Sequence, residues 1–281
     1  MAQPASDRIV KQSFQLTEPV DNACDWLAQH SALPKARIKL AMTQGAVQVK
    51  KPQSKWQRQR RASARLPAGT SIRLFYNPQL LAIKPAPLEL ISDQRRYSVW
   101  FKPPGIMSQG NEWGDHCSVL RLVELHFNNQ RPVFLIHRLD QDACGLILVA
   151  HDKKMAAQLS ERFAGREIEK QYRVRVEGQW NPEVKRIEIP LDDKLAITNI
   201  LAVEQSEDSA LLILNIETGR KHQIRRHLSQ MGHAVRGDAQ YGVKNSQTLH
   251  LTATKLSYQC PVEGRFTTFE LTPEQIRRHW Q

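Results

Sequence analysis

The chain has 281 residues, 41% hydrophobic and 24% charged, with a net charge of +12; that length holds a full core, in two domains or one large one. No apolar run approaches the roughly 20 residues of a membrane helix, and the first residues lack the charged-then-apolar order of a secretion signal, so no membrane partner and a cytoplasmic location are expected. Four scattered cysteines (24, 117, 144 and 260), none in a Cys-x-x-Cys pair, argue against a zinc ribbon and a disulfide framework.

Residues 15–83 read as a small basic domain. Residues 1–90 hold 14 Lys and Arg against 5 Asp and Glu, a balance of +9, while the remaining 191 residues carry only +3. Eleven Lys and Arg stand between Lys35 and Arg73 with no acid among them. A solvated basic face is one reading of such a run. Its single sign favours the other, a footprint for a polyanion whose counterions are released on binding. Two short helices are expected, near Asp25 and over Leu33–Met42. In the second, Ile38 and Met42 share a face and Lys35, Arg37 and Lys39 lie largely off it. Gly45 ends that helix, Ala46–Val49 reads as a strand, a basic loop carries Trp56, and Pro67-Ala-Gly-Thr turns into a strand over Ile72–Tyr76. The order resembles, in degenerate form, the small RNA-binding domain first known from a small-subunit ribosomal protein. Lys35-Ala36-Arg37 stands at its Ser-Arg helix start, and Gly69-Thr70 at its Gly-Asp turn. Lys35, Arg37 and Lys39 are its candidate RNA contacts. Proline and charge over 84–96 suggest a linker.

From Tyr97 the texture becomes mixed α and β. Tyr97–Phe101 is an expected strand, ended by the turn Lys102-Pro-Pro-Gly105. Ser118 is placed to cap a helix running to about Phe127. Phe134–Ile136 and Leu146–Ala150 read as short buried strands. The loop between them, His137-Arg138-Leu139-Asp140, puts charge at a sheet end, where loops carry chemistry. Taken alone, that loop also reads as a turn with Arg138 paired to Asp140. Asp152 caps a helix with Met155, Leu159 and Phe163 on one face. Tyr172–Val176 alternates as a half-buried strand should, and Leu211–Ile216 is a buried strand. Next comes Thr218-Gly-Arg-Lys-His-Gln-Ile-Arg-Arg-His-Leu228. Ile224, Leu228 and Met231 dock this helix, His222, Arg225 and Arg226 project elsewhere, and Arg220 and Lys221 stand at its mouth, an arrangement suited to phosphate or to a solvated cationic face.

Together, His137-Arg-Leu-Asp140 followed by Gly145-Leu-Ile-Leu, and later the Thr-Gly-Arg-Lys-His-Gln-Ile-Arg-Arg-His-Leu run with Gly237-Asp238 and Tyr241-Gly242, resemble an RluA-type RNA pseudouridine synthase. Lys102-Pro-Pro-Gly105 is similar to that family's early Lys-Pro-x-Gly turn, Lys170-Gln-Tyr172 to its Lys-x-Tyr strand, and Leu249-His250 onward to its last strands. The likeness covers roughly residues 95–272. It departs at Ala143-Cys144, where Thr-Ser is usual, at Gln141 and at Arg236. The resemblance implies an α+β catalytic domain over 97–281, built on a mixed, mostly antiparallel sheet flanked by helices, behind the small N-terminal α/β module.

The resemblance also assigns roles. Making pseudouridine means cleaving the ribose–uracil nitrogen bond, turning the base over and rejoining it through a ring carbon, which needs an oxygen group at the sugar. Asp140 takes that role, by attack on the sugar or by removing a ribose proton. It must be ionised though desolvated, which calls for a cation; Arg225 is the carried-over partner and Arg220 the second choice. The target base must be flipped out, and Arg138 fills the vacated stack with its planar guanidinium. Tyr172 supplies a ring for stacking and a hydroxyl for proton transfer. Arg220, Lys221 and His222 join Arg138 as RNA contacts, and His137 reads as structural. The expected partner is ribosomal or transfer RNA, the expected state a monomer, and a redox-neutral isomerisation requires no metal or organic cofactor. Two other functions remain open on sequence: a catalytically silent RNA-binding or RNA-folding protein on the same scaffold, and a nucleoside-cleaving hydrolase using Asp140.

Overall fold

The computed structural model describes residues 8–243 and 248–280, so the N-terminal residues read above for a secretion signal lie outside the described residues. The chain divides into two units, one made of residues up to 85 together with 109–122, the other of 86–108 and everything from 123 onward.

In the first unit four antiparallel strands lie in the order Val10–Gln15, Ser71–Tyr76, Val47–Lys50 and Gln57–Arg58. Two helices, Ala23–His30 and Lys35–Thr43, supply the other layer. Asn22 caps the first by accepting the N–H groups of Cys24 and Asp25 at 3.1 Å each, which satisfies donors that no intrahelical carbonyl can reach. Ile38 and Met42 are fully buried with Leu27, Val47, Ile72 and Leu74, so the i, i+4 stripe expected of the second helix is its core face. Two expectations are corrected. The unit begins at strand Val10–Gln15 and not at residue 15, and a short strand, Gln57–Arg58, forms inside the expected basic loop. The third addition is larger. Residues 109–122 bring Asp115, whose Oδ2 meets Arg58 Nε at 2.9 Å and also pairs with Arg60 Nη2.

The second unit is an α+β fold on one ten-stranded, mostly antiparallel sheet. Its middle runs Ser209–Ile216, Glu169–Glu177, Leu251–Gln259, Cys144–Ala150, Tyr97–Lys102 and Glu89–Asp93. The pairing of Leu251–Gln259 with Cys144–Ala150 is parallel; its other neighbours are antiparallel. Cys144–Ala150 is buried along its whole length, which is why it reads as a continuous apolar run and not as an alternation. Gly145 in this strand has φ +116°, and a Cβ there would come within 2.2 Å of the Ala253 carbonyl oxygen. Only glycine fits that close parallel pairing.

The expected linker over 84–96 contains strand Glu89–Asp93, paired with Tyr97–Lys102, so the chain between the two units is shorter than composition suggested. Asp152 caps helix Lys153–Ala164, accepting the Met155 N–H at 2.8 Å, and Met155 and Leu159 are buried beneath it. In helix Gln223–Gln230 the residues Ile224 and Leu228 are buried, while Met231 is 36% exposed and falls past the last turn, off the expected docking face. No helix among the described residues is long and apolar enough to cross a membrane.

Candidate active site

Asp140 sits on a loop that is fastened on both sides of it. On one side Ser108 Oγ donates to the Leu139 carbonyl at 2.7 Å and accepts the Leu139 N–H at 3.0 Å. On the other, the Gln141 carbonyl accepts Lys102 Nζ at 2.9 Å and the Gly105 N–H at 2.9 Å. Lys102 is fully buried, and its remaining donors go to the carbonyls of Pro103 and Ile106 at 3.1 and 2.7 Å. Burial pushes its ammonium down to about 8, opposed by Cys144, Asp142 and Asp140, so it still carries its proton at neutral pH. Sequence reading took Lys102-Pro-Pro-Gly105 only as a turn and missed Lys102 and Ser108. The signal was there: a lysine closing a fully buried strand has to find acceptors.

The cation beside Asp140 comes from the helix about 85 positions downstream. Gln223 anchors that helix, accepting the Thr218 hydroxyl and the Arg220 N–H at 2.8 and 3.0 Å and donating to the Ile197 carbonyl at 2.9 Å. Arg225, only 5% exposed, then reaches Asp140 Oδ2 with Nη1 at 3.5 Å. Its Nε and Nη2 are fixed on the two oxygens of Asp238 at 2.7 Å each, and its guanidinium carbon lies 5.1 Å from the Tyr241 ring centre. Such a fork-to-carboxylate pair sets the direction of the guanidinium. The remaining Nη1 is thereby aimed at Asp140. Asp238 in turn accepts the N–H groups of Gln240 and Tyr241 at 3.0 Å. Burial raises the Asp238 carboxyl, but Arg225 and those two N–H groups outweigh it, leaving it below its ordinary range. Burial likewise lowers Arg225, and the two carboxylates more than compensate. Asp238 was read only as part of a matching Gly-Asp pair; its partnership with Arg225 joins two stretches of sequence and is invisible in either.

His222, expected as an RNA contact, lines the cavity beside Asp140, with Nε2 3.8 Å from Oδ1. Its Nδ1 lies 3.0 Å from the Tyr241 hydroxyl. Its backbone is left-handed, φ 53°, a conformation that disfavours a residue carrying a Cβ. Burial holds His222 below the usual histidine value against the pull of Asp140, so at neutral pH the imidazole is uncharged and Arg225 is the cation at the carboxylate.

The ion pair between Arg138 and Asp140 does not form; the basic groups within 4 Å of Asp140 among the described residues are Arg225 and His222. Arg138 is exposed at the rim. Asp140, Ala143, Tyr172, Ile216, Gly219, Arg220, Lys221 and Leu251 help to line a cavity of about 260 Å³. Its lining mixes apolar surface from Ala143, Ile216 and Leu251 with convergent polar and charged groups. Arg220 also donates Nε to the Leu195 carbonyl at 3.0 Å, which leaves Arg225 and not Arg220 as the partner of Asp140. Tyr172, on strand Glu169–Glu177, is buried; burial and then Asp140 push its phenol well above its ordinary value, so it holds its proton. His137 Nε2 accepts the Leu148 N–H at 3.0 Å and the ring stacks on Phe163 at 4.4 Å. An accepting Nε2 has no proton to give, and burial lowers the group to about 3. Ala143 lines the cavity, while Cys144 Sγ lies inside the sheet, 3.1 Å from Thr252 Oγ1.

Lys35, Arg37 and Lys39 all lie on helix Lys35–Thr43 of the first unit. Lys35 is paired with Asp25, whereas no carboxylate lies within 4 Å of Arg37 or Lys39 among the described residues.

Comparison with known proteins places this site in context. Residues 96–230 match the sequence profile described as RNA pseudouridylate synthase. An uncharacterised RNA pseudouridine synthase of Mycoplasma genitalium is 29% identical over 212 residues, 64% of this chain and 68% of that protein. Ribosomal large subunit pseudouridine synthase C of Vibrio cholerae is 27% identical over 238 residues, 75% and 73% of the two chains. The solved structure of human RNA pseudouridylate synthase domain containing 4 has the same fold, with a TM-score of 0.57 at 22% identity, covering 68% of this chain and 91% of that one.

Proposed function

We propose that this chain is an RNA pseudouridine synthase, a reading supported by the match of residues 96–230 to that family's profile, and that it isomerises uridine in structured RNA with Asp140 as the catalytic carboxylate. The observation that carries this reading is the fastening of Asp140 from both flanks beside the aimed guanidinium of Arg225 at 3.5 Å. Charge that develops as a carboxylate acts at ribose is stabilised by a fixed cation without reorganisation.

Arg225 neutralises the carboxylate without gripping it: its bidentate contact is to Asp238, which leaves the Asp140 oxygens available to the sugar. Asp140 then acts at the anomeric carbon or on a neighbouring ribose proton. The bond from N1 to the anomeric carbon breaks, its electron pair stays on the uracil, the base turns, and C5 forms the new bond to the same carbon as the bond to Asp140 breaks or the ribose proton is returned. The proton on C5 is lost and N1 gains one, so the reaction is redox-neutral. Tyr172 offers its ring face to the base. Its hydroxyl, which holds its proton, is placed for proton transfer as the base is rejoined. Arg138, exposed and without an ion pair among the described residues, fills the stack that the flipped base leaves. Large-subunit ribosomal RNA is the first substrate to test, since relatives named for it align with most of this chain. The basic first unit is read as an accessory RNA-binding domain through Arg37 and Lys39, and the protein as a cytoplasmic monomer.

The test is incubation with total RNA from a strain lacking the gene, followed by chemical labelling of pseudouridine and mapping of reverse-transcription stops. New stops with the wild type, and a fall of at least about a thousandfold in their rate of appearance with Asp140→Asn, are expected if the carboxylate is essential. Intact RNA binding without stops would replace this reading by a silent RNA binder, and released uracil by a hydrolase.

A further inference from the structure

A second cavity, of about 400 Å³, adjoins the first and shares Arg138, Tyr172, Ile216, Gly219 and Arg220 with it. Its far wall is different in kind, made by Phe163, Arg166 and Lys170. Its one acid, Glu217, is already engaged by Asn199 at 3.0 Å and Arg186 at 2.8 Å. Neither Arg166 nor Lys170 has a carboxylate within 4 Å among the described residues. Lys170 Nζ instead sits 5.7 Å from the Phe163 ring centre, and burial, then Arg166, lowers its ammonium.

Arg166 is there at a conformational cost. It follows helix Lys153–Ala164 in the left-handed conformation, φ 61°. Its N–H bonds to the Phe163 carbonyl at 3.3 Å and the next N–H, of Glu167, to the Arg162 carbonyl at 2.9 Å. That is a complete Schellman ending, in which the left-handed position is normally glycine. An arginine in this place gives up the ease of a glycine cap and gains a cation at the cavity wall. Two like charges held together, one desolvated, repel each other until an anion enters between them.

We infer that this second cavity seats the phosphodiester joining the target uridine to its neighbouring nucleotide, held by Lys170 and Arg166. The inference rests on the proposed action on RNA. It adds that the substrate is recognised as a strand, with one backbone phosphate fixed beside the flipped base, and that Arg138 stands between base pocket and phosphate seat. An oxygen-rich monoanion answers both cations, through charge-assisted hydrogen bonds that are the stronger kind.

The experiment titrates a short labelled single-stranded oligouridylate into full-length Asp140→Asn protein, which reads binding without turnover, across a range of salt. Adding Lys170→Met, which keeps the stem against Phe163, is expected to weaken binding about tenfold and to reduce the salt slope by about 0.7, the value for one phosphate on a single strand. Replacing the phosphodiesters with uncharged methylphosphonates should abolish the difference between Lys170 and Lys170→Met proteins. Arg166→Gly should bind more weakly yet melt at a higher temperature, a combination that a purely structural arginine would not give. Salt slopes equal to those of Arg277→Met, an exposed cation at the other end of the unit's chain, or a difference that persists with methylphosphonates, would overturn the inference. A protein that binds in this way but makes no pseudouridine would sink the proposed activity and leave the phosphate seat standing.

Discussion

The two units of this chain use positive charge in opposite ways. The first holds most of the net charge, yet Arg37, Lys39, Lys50, Lys51 and Lys55 stand with no carboxylate within 4 Å among the described residues, on a helix, a strand end and the loop after it. The second has nearly balanced charge, and the cation that matters there, Arg225, is buried and held by two bonds of 2.7 Å to Asp238. Exposed charge of one sign attracts a polyanion from a distance and is screened by salt. Buried charge with fixed partners sets the protonation and direction of a neighbouring group. A count of lysines and arginines detects the first use and is blind to the second.

Asp238→Ala should break the second unit's arrangement most severely. It leaves Arg225 buried without its partner, a loss of about 3–5 kcal/mol in stability, measurable by urea unfolding. It also frees the guanidinium to grip Asp140, so activity in any surviving folded protein should fall with it. The sign with pH is fixed: the folded carboxyl of Asp238 lies below its unfolded value, so its contribution is full above about pH 4 and disappears as pH falls through the lower, folded value. The variant should therefore lose less stability than the wild type on acidification below about pH 4. An acid limb as steep as that of the wild type would remove Asp238 from this account.

Lys102→Met comes next. It leaves the buried carbonyls of Pro103 and Ile106 short of a donor and the Gln141 carbonyl with the Gly105 N–H alone, at about 3 kcal/mol by the usual figure for unsatisfied groups. Because the Gln141 carbonyl fixes the residue after Asp140, the rate of pseudouridine formation at saturating RNA should fall more than affinity does. Weaker affinity with an unchanged rate would mean that the clamp does not position the carboxylate.

The smallest effect is expected in the first unit. Arg37→Gln with Lys39→Gln should leave the melting temperature within the scatter of a surface change. It should also weaken RNA binding and lower its salt slope by about 0.7 to 0.9 for every phosphate no longer neutralised. An unchanged slope would end the reading of that face as an RNA-binding one. Deleting residues 1–85 is a poorer test, because it would strand Asp115 without Arg58 and Arg60.

Much of the site was legible because its chemistry is carried by short runs. The His137–Asp140 loop between apolar strands, the alternation that buries Tyr172 and the spacing of Ile224 and Leu228 are all local patterns, and the resemblance paired Asp140 with Arg225. What was not legible had partners far apart in sequence. Lys102 read as the edge of a turn and Asp238 as half of a motif, and the approach of His222 to Asp140 was not read, because their partners lie on elements that only the sheet brings together.

Amino-acid order by itself determined the core faces of Ile38, Met42 and Leu146–Ala150, and a charge distribution suited to a polyanion. These follow from periodicity and composition, each of which is a property of neighbours along the chain. Only the tertiary structure decided that position 145 requires glycine, because the Ala253 backbone closes on it. It alone decided that the acid-free run from Lys35 to Arg73 acquires an acid from Asp115, and that Arg225 faces Asp140 with its other edge on Asp238. The physical reason is common to all three: close approach and ion pairing are decided by distance and burial, and neither can be read from separation along the sequence.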